Sequence, residues 1–437
     1  MSLSRLARLF KRPAAALLVV ALAVLGGCNL KSGGFVISKP AHLRFVNALV
    51  DGGAISVNVA GNPLVAGIPF EGITSYLDIN SGNQEVQIVA NGASVIYDQT
   101  FLYVDDARYT FVVYGTSASP VVQLVPDTIT NTPGSDVFVL RAFNAAFASG
   151  GVDVYVTTPG VPLDNQSPNF SGVGVGRTTF FASINAGTYQ VRFTVPNSKQ
   201  VIYDAGNVTF NGQVAYTVLA YTKGSSTLLN GAILPIDDTD PAFVANSRLA
   251  QFKLVHASPG TGPINGFIDG VIALANIPYQ AASSYELLSA GTHAVTIETV
   301  ATPGAVIASA QPTFSAATDT SVVLTGTPGA TSALVLDDMN LPGSVGSARV
   351  RVVNVASNVG PVDVYVNFAQ RASNVEPNTS SGYQEFVEGT YTVTFNVAGT
   401  TTLLLNLPAV AVTAGRTYTL YLVGTPGSLS GALLRDG

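Results

Sequence analysis

Arg349-Val350-Arg351-Val352-Val353-Asn354, Pro361-Val362-Asp363-Val364-Tyr365-Val366, Glu388-Gly389-Thr390-Tyr391-Thr392-Val393 and Tyr418-Thr419-Leu420-Tyr421-Leu422-Val423-Gly424-Thr425 belong to one run, Ala348 to Thr425, and versions of it occur four times in the chain. Apolar residues in these pieces alternate over short stretches, the period of a strand with two different faces. In the sister piece Val152-Asp153-Val154-Tyr155-Val156, the valines point one way and Asp153 and Tyr155 the other.

Working outward, the first copy opens at Leu43-Arg44-Phe45-Val46-Asn47-Ala48 and ends near Tyr114-Gly115-Thr116. The second opens at Arg141-Ala142-Phe143-Asn144-Ala145 and the third at Lys253-Leu254-Val255-His256-Ala257. The anchors Asn47, Asn144, His256 and Asn354 are separated by 97, 112 and 98 residues. That period is too long for a solenoid unit and suits a small domain. Short alternating strands bounded by Gly, Pro, Asn and Ser predict an all-β chain of four tandem immunoglobulin-like antiparallel β-sandwich domains. No amphipathic helix is predicted after Leu25. The expected boundaries are 41–134, 135–247, 248–345 and 346–437. Pro/Gly/Ser-rich segments such as Asn131-Thr132-Pro133-Gly134 and Leu341-Pro342-Gly343-Ser344 stand as spacers between cores.

Composition supports strands: 47% of residues are hydrophobic and 11% charged, with 43 Gly, 24 Pro and no Trp. The formal net charge is −6; loss of the first 27 residues, with Arg5, Arg8, Lys11 and Arg12, would make it −10. Such a surface repels phosphate backbones, which argues against a nucleic-acid partner.

Cys28 is the sole cysteine, so no disulfide can form within the chain. Basic residues from Arg5 to Arg12 lead into the apolar run Ala14 to Leu25, the layout of an export signal (1–27) and too short for a convincing membrane span. Leu25-Gly26-Gly27-Cys28 resembles the lipobox of bacterial lipoproteins. The resemblance implies cleavage before Cys28 and acylation there, and more than one acyl chain gives stable anchoring. Residues 28–40 then read as a tether. Asn29, in place of an Asp that would favour inner-membrane retention, points to the outer membrane, facing the periplasm or the cell surface.

His256-Ala257-Ser258-Pro259, Val362-Asp363-Val364-Tyr365-Val366 and Gly389-Thr390-Tyr391-Thr392-Val393 resemble signatures of the domain of unknown function 4397 family. The resemblance covers nearly all of the chain after the tether and implies all-β modules in exported and cell-surface prokaryotic proteins, often in tandem. It is good in the third and fourth copies and looser in the first two. The first copy departs from it at Ile55-Ser56-Val57-Asn58-Val59, and no catalytic residue comes with the family.

Four copies allow equivalent positions to be compared inside one chain. His256 stands where the other copies hold Asn, so a structural hydrogen-bonding role is expected of it. His42, His256 and His293 are scattered and form no triad. Asp153 and Asp363 share a column with Ser56 and Asn265, short side chains that bond nearby backbone rather than a titrating carboxylate. Asp105-Asp106, Asp237-Asp238 and Asp337-Asp338 are solvated acidic turns or, at the joints, sites where Ca²⁺ would bridge neighbouring domains. Ser171-Gly172-Val173-Gly174-Val175-Gly176 resembles a phosphate loop but lacks its Lys-Ser/Thr ending, and reads as a flexible loop. Tyr155, Phe267 and Tyr365 form an aromatic column, either a ligand-stacking surface or packing under a neighbouring element.

The sequence thus predicts a non-catalytic, lipid-anchored cell-envelope protein that presents tandem modules for adhesion, glycan or protein binding, with no required cofactor. A structural surface-layer component and an accessory subunit of an envelope hydrolase are the alternatives.

Overall fold

Four first strands set the architecture, and the first of them, Ala41–Leu49, is almost wholly buried. The structure is a computed structural model that describes residues 38–436 except 130, 225–226 and 238–239. Cys28, the export signal and most of the tether lie outside the described residues.

The first copy shows the pattern. Its strands are β1 (Ala41–Leu49), β2 (Ile55–Val59), β3 (Asn62–Ile68), β4 (Leu77–Ile79), β5 (Gly82–Ala90), β6 (Ser94–Tyr103), β7 (Arg108–Thr116) and β8 (Ser119–Pro126). They form two sheets, ordered β4-β1-β7-β8 and β3-β2-β5-β6. The later copies repeat this pair of sheets, with small additions: Phe243–Ala245 extends a sheet of the second copy, and Gly291–Thr292 pairs with Thr313–Phe314 in the third. No helix occurs among the described residues.

The chain is all-β and sandwich-like, and its sheets are antiparallel except at one pairing per copy. β1 runs parallel to β7, with Phe45 opposite Phe111. The same parallel pairing joins Val137–Ala145 to Ala215–Thr222, Leu249–His256 to Asp319–Thr327, and Ser347–Asn354 to Thr417–Thr425. Parallel neighbours cannot be joined by a hairpin and need a crossover. Here the strands of the second sheet supply it.

The repeated Gly-Thr pair belongs to the hairpin after that parallel strand. Gly115, Gly326 and Gly424 have φ of +93°, +84° and +103°. A Cβ at these positions would come within 2.6 Å of Ser119 O, 2.1 Å of Ala330 O and 2.2 Å of Ser428 O. Only glycine satisfies both demands.

Each copy buries a core between its two sheets; in the first it includes Leu43, Phe45, Ile55, Val57, Val86, Ile88 and Phe111. The outer face of the first sheet is apolar as well. Val46, Ala48, Val112 and Tyr114 pack on Phe143, Ala145, Leu219 and Tyr221 of the second copy. Val255 and Val323 of the third copy pack likewise on Val353, Tyr421 and Val423 of the fourth. A sheet covered on both faces loses its alternation and becomes a continuous apolar run, as in Leu219-Ala220-Tyr221. The copies therefore pack in pairs, first on second and third on fourth. Lys39–Gly437 forms one compact unit.

Candidate functional site

The anchor column lies at the end of the first strand. Asn47 donates its Nδ2 hydrogens to Gly53 O and Ile68 O, both at 2.9 Å, and its Oδ1 accepts from Leu49 N at 3.1 Å. Asn144 does the same with Gly150 O, Val173 O and Ala146 N. His256 fills the place with its ring: Nε2 lies 3.1 Å from Gly262 O, and Nδ1 accepts from Ser258 N at 3.3 Å. This pattern requires the neutral Nε2–H tautomer, and burial holds the imidazole pKa below its usual value. His256 is fully buried and fastens a loop.

Three residues before each anchor stands a cation: Arg44, Arg141, Lys253 and Arg351, all buried. Each lies over an aromatic ring, that of Tyr76, Phe181, Tyr285 or Tyr383, at 4.5 to 4.9 Å from the centroid. Each of them bonds a group of the paired copy. Arg141 Nη2 donates to Asp127 Oδ1 at 2.6 Å, and Arg44 Nη1 donates to Pro235 O at 2.6 Å. In the second pair, Arg351 bonds Asp338 and Lys253 Nζ lies 2.6 Å from Asp436 Oδ1. Each carboxylate also takes hydroxyl donors: Tyr76 and Thr110 on Asp127, Tyr285 and Ser321 on Asp338, Tyr383 and Thr419 on Asp436. Burial, reinforced by the adjacent carboxylates, pushes the phenol pKa values of Tyr76, Tyr285 and Tyr383 far up, so the rings stay neutral donors. Burial works against the Arg351 guanidinium, but Asp338 and its neighbours outweigh it and raise its pKa.

Sequence reading passed over these clasps, although both halves were visible: a cation three residues ahead of every anchor, and Asp127, Asp338 and Asp436 at the ends of closing strands. What it lacked was the pairing between copies. Asp338, a candidate calcium ligand by its position in Asp337-Asp338, is spent on the protein's own cation and hydroxyls. Asp106 is exposed and bonds Lys39 at 2.9 Å. Asp238 lies outside the described residues. Among the described residues, no group of three or more His, Cys, Asp or Glu is placed to hold a metal ion.

The Ser/Asp/Asn column has one structural job. Asp363 accepts from Asn374 N at 2.8 Å and Gly399 N at 2.9 Å, and Asp153 from Gly172 N and Asn197 N. Asn265 accepts from Asn276 N, and Ser56 from Gly67 N. Gly67, Gly172, Asn276 and Asn374 all have φ between +52° and +70°, so the side chain pins a left-handed kink in the neighbouring strand. The stretch Ser171–Gly176 is not a free loop: Phe170–Val173 is a strand, and Gly176 N donates to Asn144 O.

The aromatic column is not uniform. Tyr155 is 2% exposed, its hydroxyl 3.0 Å from Lys199 Nζ, while Phe267 and Tyr365 are half-buried. Among the described residues the most exposed phenylalanines are Phe180 at 95% and Phe368 at 93%, ahead of Phe243 and Phe147. A cleft of about 550 Å³ at the end of the fourth copy is lined by Val359, Pro361, Asn374, Leu403 and Pro426. It holds no acid–base pair.

Fold and site together define an all-β protein of paired sandwich-like copies whose recurrent polar residues fasten its own backbone. The family model for domain of unknown function DUF4397 matches residues 41–155, 250–365 and 348–437, more than half of the chain, which therefore belongs to that family. No curated protein matches it in sequence. Among solved structures it is similar to the CBM26-family module CBMbc from Eubacterium rectale Amy13K in complex with maltoheptaose. That likeness has 12% identity and a TM-score of 0.15, over 46% of this chain and 98% of that one. The Bacillus anthracis TIE protein is similar at 8% identity and a TM-score of 0.14, over 88% of this chain and 66% of that one. At these TM-scores neither likeness bears on function.

Proposed function

We propose that this protein is a lipid-anchored, non-catalytic component of the cell envelope, in the outer membrane, whose paired β-sandwiches hold a binding surface for a glycan or protein. The observation that carries the anchoring is Leu25-Gly26-Gly27 followed by the only cysteine, Cys28, behind a basic and then apolar leader. The binding reading is supported by how the conspicuous polar residues are used. His256, Asp153, Asp363 and the buried cations are engaged in structural bonds. Phe180 and Phe368 are the aromatic surface that a partner would meet.

The test has two arms. Cells fed an alkyne fatty acid should label the full chain, and Cys28→Ser should abolish the label and release the protein from membranes. The mature chain should retain a glycan or protein from the envelope, and Phe180→Ala with Phe368→Ala should weaken that retention. Membrane release of the wild type without acylation, or substrate turnover by the purified chain, would overturn the reading.

A further inference from the structure

Lys253 is the one lysine in a column otherwise filled by Arg44, Arg141 and Arg351. A guanidinium stays protonated and cannot act as a nucleophile, whereas an ammonium placed out of water can give up its proton. The Lys253 side chain is 2% exposed and that of Asp436 0%, with Nζ 2.6 Å from Oδ1. Nζ also lies 3.2 Å from Arg435 O, and the Tyr285 ring covers it at 4.9 Å. A second carboxylate, Asp338, stands 3.9 Å from the same Nζ with its side chain 0% exposed. The other oxygen of Asp436, Oδ2, accepts from Thr419 Oγ1 at 2.6 Å and Tyr383 OH at 2.9 Å. An amine, a carboxyl group, two donors on the carboxyl's far oxygen and a second carboxylate, itself held by Arg351, Tyr285 and Ser321, are thus gathered in a dry site.

We propose that Lys253 and Asp436 join in an amide bond, a covalent cross-link from the first strand of the third copy to the end of the fourth. Within the ion pair, one proton passes from Nζ to Oδ1, leaving an amine beside a carboxylic acid. Nζ attacks Cγ and the C–N bond forms. The charge that develops on Oδ2 is stabilised by the Thr419 and Tyr383 hydroxyls, the arrangement of an oxyanion hole. Asp338 takes the second proton from the nitrogen and passes it to the Oδ1 hydroxyl, which leaves as water when its C–O bond breaks. Ammonium and carboxylate become an amide and one water, with no oxidant or co-reactant. Fixed proximity supplies what the reaction lacks in free solution. The Arg141–Asp127 clasp has the same frame but no nucleophile, so the link is specific to the second pair.

The purified full chain, unfolded and digested with trypsin, decides the matter by mass spectrometry. Cleavage after Lys253 should be blocked. The peptide containing Lys253 should be joined to the one that begins at Asp436, lighter by one water than the two together. Lys253→Arg restores the residue of the sister copies, keeps the ion pair and should lose the linked species entirely. Asp338→Asn should form the link on the order of a hundredfold more slowly. Complete cleavage after Lys253, with the Asp436 peptide at its unmodified mass, would overturn the proposal. So would loss of water confined to Asp436 while Lys253 is still cleaved.

Discussion

Asp363 and Asn265 occupy equivalent positions, one a carboxylate and the other an amide, and each accepts a backbone N–H from a kinked neighbouring strand. The oxygen matters there and the charge does not. Asp363→Ala orphans two N–H groups, each costing about 1–3 kcal/mol, whereas Asp363→Asn keeps one acceptor oxygen and should recover at most about half of the loss, since its NH2 cannot accept from the second N–H; urea unfolding of the two variants measures the difference. At His256 the sign of the pH dependence follows from burial. The folded imidazole has a pKa below the ordinary 6.5, so under mildly acid conditions the unfolded chain binds the proton first. The stability tied to this residue is complete above pH 6.5 and is lost as pH falls through the window beneath it. His256→Asn, the residue of the other three copies, should unfold at nearly the wild-type urea midpoint at neutral pH. Its midpoint should decline less between pH 6.5 and 5; equal declines would show that His256 is not the titrating group.

Turns and strands carry the next level, and most of them were legible. Alternating runs marked the strands, and the structure adds that Asp269-Gly270, at φ of +50° and +81°, forms a two-residue hairpin. The fourth copy breaks this pattern. Its equivalent turn is Asn367-Phe368, with φ of +46° and +70°, and Phe368 stands exposed where sister turns hold Gly61 and Gly270. A bulky residue in that conformation costs about 1–2 kcal/mol. Phe368→Gly should therefore stabilise the chain by about 1 kcal/mol, read from the urea midpoint, while weakening any binding that uses the ring. The parallel pairing of first and seventh strands was not legible, because alternation tells which face a residue takes and not which strand lies beside it. Packing was one of the two readings offered for Tyr155, but its partner could not be read: Lys199, which bonds its hydroxyl, arrives from a hairpin 44 residues away.

At the scale of the molecule, a sequence period of about one hundred residues invited the picture of separate cores joined by spacers. The apolar pattern announced buried faces but not their partners, and those partners turned out to belong to the next copy. Val46, Val112, Tyr114 and Val125 are buried only because Phe143, Leu219, Tyr221 and Leu234 lie against them. The Arg141–Asp127 bond closes the same interface with a side chain from each copy. Residues 41–134 alone would expose that apolar face and leave Asp127 without Arg141, while residues 41–247 keep both. The shorter piece should be aggregation-prone or largely unfolded by circular dichroism and amide exchange, and the longer one should unfold in a single cooperative transition. Within the whole chain, Asp127→Ala strands a buried guanidinium at the cost of about 3–5 kcal/mol. Because the two cores share a face, amide protection should fall in both the first and second copies. Loss of protection confined to the first copy would show that the two fold independently.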